Sequence, residues 1–78
     1  MRKSDLLVRF SMHRGLAANE REAHTDLLLL FSEEYPISNF EKWDTPLDEE
    51  WADSFFLRYR DDPDCDLRWL LAGLWQVN

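Results

Sequence analysis

The chain has 78 residues, a formal net charge of −7, 45% apolar and 14% aromatic residues, and one cysteine, Cys65. That length allows one domain, residues 1–78, with a small core, because a chain of this size buries only about 60% of its unfolded surface. The negative charge argues against direct nucleic-acid binding, which draws on clustered Lys and Arg, and a lone cysteine excludes an intrachain disulfide and fits a reducing compartment.

The longest apolar run, Leu27–Phe31, is far too short to span a bilayer, and Asp5, Arg9 and His13 interrupt any signal-peptide core, so the expected location is the cytoplasm. Charge is unevenly spread. Residues 1–14 carry Arg2, Lys3, Arg9 and Arg14 against Asp5 alone, whereas the remainder is strongly acidic.

Residues 4–14 read as a first helix, with Ser4 as N-cap, Asp5 at the positive dipole end and Arg14 at the negative end. Gly15 follows where a left-handed residue would close the helix. A strand competes, because Leu6, Val8, Phe10 and Met12 alternate with the residues between them. Asn19 caps a second predicted helix, with Glu20 and Glu22 in its first turn and Ala23, Leu27, Leu30 and Phe31 on one face. Pro36 ends it, since the residue before a proline is pushed out of the helical region.

Residues 36–44 read as a connection anchored by Phe40 and Trp43, with room for one helical turn. Thr45-Pro46 then predicts a helix start, a hydroxyl cap followed by proline at the first helical position. Leu47, Trp51, Phe55 and Tyr59 recur every four residues as its apolar face, widened by Ala52 and Phe56. Asp61-Asp62-Pro63-Asp64 breaks it, and a last helix over 65–76 would bury Leu67, Leu70, Leu71 and Leu74. The expectation is an all-α domain, an antiparallel bundle of about four helices.

Enzyme motifs are scarce. There is no glycine-rich phosphate loop, no G-x-S-x-G elbow and no pair of histidines at metal spacing, so neither a catalytic centre nor a cofactor of its own is expected. His13 and His24 are isolated, and the acids around Cys65 oppose a reactive thiolate. Asp62, Asp64 and Asp66 have the spacing of a calcium loop, but its sixth and twelfth positions are Leu67 and Gly73 rather than glycine and glutamate. A turn and a helix cap account for these acids.

The order of segments resembles a family. H-R-G-L (His13–Leu16) ends the first helix, L-L-L-L-F-S-E-E-Y (Leu27–Tyr35) lies in the second, and a third runs from D-E-E (Asp48–Glu50) to D-D-P-D (Asp61–Asp64). D-L-R-W-L-L (Asp66–Leu71) opens the last. Over roughly residues 5–73 this resembles the small helical assembly factors of succinate dehydrogenase, which promote covalent flavin attachment to the flavoprotein subunit.

The resemblance implies a non-enzymatic chain that binds a flavoprotein through an R-G-x-x-E motif, with the FAD belonging to the partner. Arg14 and Gly15 match the motif's first two positions. Ala18 stands where its glutamate would fall, and Glu22 takes that place if four residues are inserted after Gly15. His13, next to Arg14, joins Arg14, Gly15 and Glu22 in the partner-binding set. The acidic balance after residue 14 gives the alternative, a small inhibitor of phage anti-defence or toxin-immunity type that meets a basic nucleic-acid-processing enzyme or toxin, with acids of the second and third helices able to imitate nucleic-acid phosphates.

Overall fold

Helix α1, Lys3–His13, buries Lys3, Ser4, Leu6, Leu7, Phe10 and Ser11. That spacing has helical period, so the alternation that favoured a strand is incidental: Val8 is half-buried and Met12 is exposed. In the computed structural model, which describes residues 1–77, α1 is followed by α2 (Glu20–Glu34), α3 (Phe40–Trp43), α4 (Glu49–Tyr59) and α5 (Leu67–Trp75). A 3₁₀ turn, Ile37–Asn39, leads into α3. Over the described residues the domain is all-α, with five helices where about four were expected, because the turn allowed for after Pro36 is the one-turn α3.

The start of α1 differs from the expectation. Arg2, not Ser4, is the N-cap residue, and its backbone N–H donates to Asp5 Oδ2 at 3.1 Å. Ser4 lies inside the first turn because Asp44 supplies the acceptors there: its carboxylate takes the Ser4 N–H at 3.0 Å and the Ser4 hydroxyl at 2.9 Å. The end of α1 follows the sequence signal. Gly15 has φ +70°, the Gly15 N–H bonds the Met12 carbonyl at 3.1 Å, and the Leu16 N–H bonds the Ser11 carbonyl at 2.9 Å. These are the two bonds of a Schellman motif, which turns the chain towards α2.

Thr45-Pro46 is not the start of α4. Asp48 is its N-cap, with a side chain that accepts from the Trp51 N–H at 2.9 Å. Thr45 and Pro46 instead lie beside the N-terminal segment. The Lys3 N–H bonds the Thr45 carbonyl at 3.2 Å, and the Leu47 N–H bonds the Met1 carbonyl at 2.6 Å, making an isolated antiparallel bridge between Arg2 and Pro46. The bridge's hydrogen bonds come from flanking residues, so the N–H that proline lacks is not needed there.

The core forms where α2, α4 and α5 meet α1. Leu6, Leu7 and Phe10 of α1, Leu27 and Phe31 of α2, and Leu70, Leu71 and Leu74 of α5 are each at most 2% exposed. Phe31 is the aromatic centre, with the rings of Tyr35, Phe40, Trp43 and Trp75 at 5.2 to 5.7 Å. From α4 the buried residues are Ala52 and Phe56, so its core face lies to one side of the expected Trp51–Phe55–Tyr59 stripe. Helix α5 starts at Leu67, capped by Asp66, and leaves Cys65 buried in the preceding turn. The radius of gyration, 11.6 Å, matches a compact chain of this length.

Ser11 is 1% exposed and its hydroxyl has no hydrogen-bond partner among the described residues. Removing an unpaired buried hydroxyl relieves a desolvation cost, and alanine is the better helix former. Ser11→Ala should therefore raise the unfolding free energy by about 1 kcal/mol, read as a higher urea midpoint at unchanged m-value. A lower midpoint would show that the hydroxyl has a partner.

Candidate functional site

The H-R-G corner is built from the end of α1 and the segment that follows α4. The Arg14 side chain is half-buried, and its guanidinium donates to the carbonyls of Tyr59 (3.3 Å) and Asp62. Tyr59 is the last residue of α4 and Asp62 lies three residues beyond it. Both carbonyls also accept a backbone N–H, from Asp62 and Cys65, and the guanidinium sits where the helix dipole favours a cation. The guanidinium carbon also stands 4.9 Å from the Phe10 ring centroid. His13 Nε2 is 3.6 Å from Asp61 Oδ1, and its ring meets Phe56 edge-on at 5.4 Å. Hydrogen bonding from Arg60 holds the Asp61 carboxyl below the usual carboxylate range, with the Arg60 charge and His13 acting in the same direction.

Glu22 is exposed in the first turn of α2, where its N–H donates to Asn19 Oδ1 at 2.9 Å. No hydrogen bond or ion pair joins Glu22 to Arg14 among the described residues. Of the four residues selected from sequence, His13, Arg14 and Gly15 share one corner, with Arg14 turned inward, and Glu22 stands on another helix. Asp62 and Asp66 are used locally: Asp62 Oδ1 accepts from the Asp64 N–H at 2.9 Å, and Asp66 Oδ1 accepts from the Trp69 N–H at 2.7 Å. No group of three or more His, Cys, Asp or Glu among the described residues could hold a metal ion.

Each cation of the basic N-terminal end has an acceptor within the molecule, Lys3 and Arg14 in covered positions and Arg2 and Arg9 at the surface. Arg2 donates to the Asp44 carbonyl, Lys3 to the Val77 carbonyl, Arg9 to Asp53 at 2.7 Å, and Arg14 to the two carbonyls already named. What remains for solvent is mostly acidic, including Glu20, Glu22 and Asp26 of α2 and Glu50 of α4.

Sequence spacing assigned Trp51, Phe55 and Tyr59 to the core. They form an aromatic ladder along its border that continues onto α5: Trp51 and Phe55 stack at 5.0 Å, while Phe55–Tyr59 and Tyr59–Trp69 meet as tilted pairs at 4.8 Å each. The two ends are open, with Trp51 39% and Trp69 48% exposed. Each sits three residues after a capping aspartate that takes its backbone N–H, Asp48 for Trp51 and Asp66 for Trp69. The repeated D-x-x-W spacing is the sequence signal for this pair: an aspartate cap fixes a tryptophan in the first helical turn, where little of the domain covers it.

No family model, curated protein or solved structure matches this chain. No helix among the described residues is long and apolar enough to cross a membrane.

Arg14→Ala should lower the unfolding free energy by about 2 kcal/mol, since a charged donor to two carbonyls is lost. Denaturant unfolding reads this directly, and unchanged stability would free Arg14 from its structural role. Cys65 is 3% exposed, and burial pushes its thiol pKa up, opposed by Arg14 and assisted by Asp62 and Asp66. The thiol therefore stays protonated at neutral pH, and iodoacetamide should label the native chain far more slowly than the urea-unfolded chain. Equal rates would contradict that burial.

Proposed function

We propose that this chain is a binding protein without a catalytic centre of its own, which engages a basic protein partner through the aromatic ladder of α4 and α5. Arg58 covers the Tyr59 ring, and the two tryptophan ends are flanked by acids. The supporting observation is the ladder itself. Four rings in series, open at both tryptophan ends, give rigid apolar contact area of the type enriched at interface centres. Asp48 and Asp66 flank those ends, and the net charge of −7 would steer a cationic partner from a distance. An inhibitor of a basic enzyme or toxin acts in this way.

Affinity capture from the expressing cells, with wild type and a Trp51→Ser/Trp69→Ser variant side by side, tests this. A basic protein should be retained by wild type at low salt, weakened at high salt, and lost from the variant. Equal retention by both chains, insensitivity to salt, or no partner at all would remove the proposal.

One observation favours assembly-factor action as a second reading. His13 and Gly15 stand exposed together at the helix end, with Gly15 in the left-handed conformation that lets a partner's backbone approach closely. Isolated succinate dehydrogenase flavoprotein should then bind wild type and lose affinity for His13→Ala and for Glu22→Ala; Glu22 is exposed, and its variant leaves the His13–Phe56 contact in place. Absence of binding by wild type would dismiss it.

A further inference from the structure

The apolar surface of α2 extends beyond the side it gives to the core. Leu27 and Phe31 are fully buried, but Asp26, Leu29, Leu30 and Glu33 follow i, i+3, i+4, i+7 spacing and form a second stripe next to them. A shallow groove of about 420 Å³ runs between this stripe and the start of α5, with Leu16 and Leu67 completing its apolar lining. Leu16 is 54% and Leu29 61% exposed, while Leu30 and Leu67 are half-buried. Clustered open leucines of this kind mark contact surfaces rather than ordinary solvated helix.

The charge around the groove has one sign. Its charged lining is Asp26, Glu33, Asp66 and Arg68, three carboxylates to one guanidinium. That guanidinium is already taken by acids of α2, since Arg68 pairs with Glu33 at 2.7 Å and with Glu34. From Glu22 to Glu34 the helix contains no Lys or Arg. A second copy of this chain would set two such acidic borders against each other, and an anionic lipid surface would be repelled in the same way. A cationic partner is the complement.

Backbone chemistry selects the form of that partner. No strand lies among the described residues, so the groove offers no open ladder edge to an extended segment. An extended segment would bury N–H and C=O groups without partners, whereas a helix bonds its own. We infer that the groove takes an amphipathic helix of a partner protein, with its apolar face on Leu16, Leu29, Leu30 and Leu67 and its flanking Lys or Arg against Asp26 and Asp66. This rests on the proposed protein-binding role and adds a surface on α2, away from Trp51 and Phe55 of α4.

The probe is a synthetic leucine–lysine peptide of roughly 18 residues with leucines at helical spacing, long enough to form an amphipathic helix. A leucine–glutamate peptide of the same spacing and a leucine–lysine peptide interrupted by proline are the controls. In calorimetric titration the leucine–lysine helix should bind saturably, and both controls at least about tenfold more weakly. Leu29→Ser should cost about tenfold or more in affinity. Asp26→Asn should cost several-fold at low salt and little at high salt. Both side chains are exposed, so neither variant disturbs the core. Trp51→Ser should bind the peptide as wild type does; loss of binding there would move the peptide to the ladder and overturn the inference.

No saturable binding, a control peptide that binds as tightly, or full affinity in Leu29→Ser or Asp26→Asn also overturns it. So does dimerisation of the free chain that Leu29→Ser abolishes, which would give the groove to a second copy. The ladder fails separately, through the capture experiment with Trp51→Ser/Trp69→Ser.

Discussion

Helix α1 is buried towards α2, α4 and α5 together, and the positions of the other helices follow from that. Leu6, Leu7 and Phe10 supply the shared apolar contact, but burying a helix this thoroughly also requires its ends to be satisfied. Asp44 and Thr45 provide acceptors at the start, and the Gly15 turn closes the end. The cations around α1 then serve as fasteners between segments, Lys3 and Arg14 from covered positions and Arg2 and Arg9 from the surface. Arg2 and Lys3 hold the segments at residues 44 and 77, Arg9 holds α4, and Arg14 holds the exit from α4.

Legibility in the sequence followed the range of the interaction. Caps and breaks that depend on neighbouring residues were readable: Asn19, Gly15 and Pro36 act where local chemistry places them. Thr45-Pro46 misled because its local signal competes with a distant partner. The N-terminal segment uses the Thr45 carbonyl, and Asp48 is left to cap α4. Periodicity found the α2 and α5 faces, since Leu27, Phe31, Leu70, Leu71 and Leu74 recur at helical spacing even though Leu28, Leu30, Trp69 and Trp75 beside them are also apolar. In α4 the excess of aromatics blurred the boundary, and small Ala52 rather than large Trp51 fits against its neighbours.

The candidate sites were less legible because they depend on where side chains go after packing. Arg14 was identifiable as a helix-end cation, yet sequence could not say whether it faces solvent or the carbonyls of Tyr59 and Asp62. Leu30 read as core from spacing alone, but Leu27 and Phe31 take the buried face and leave it half-covered beside the open Leu29. The D-x-x-W pairs were in plain view, but their meaning depends on Tyr59 and Trp69 meeting across two helices.

The attachment of Lys3 to Val77 bears on the order in which the protein can be made. During synthesis the first helix emerges long before α5, its packing partner at the far end of the chain. Until residue 77 has left the ribosome, the apolar flank of α1 that faces α5 must wait uncovered, and an early pairing with α2 alone leaves the domain unfinished. The pairing of α5 with α1 joins helices more than fifty residues apart, a non-local contact whose loop-closure entropy must be met before the core closes.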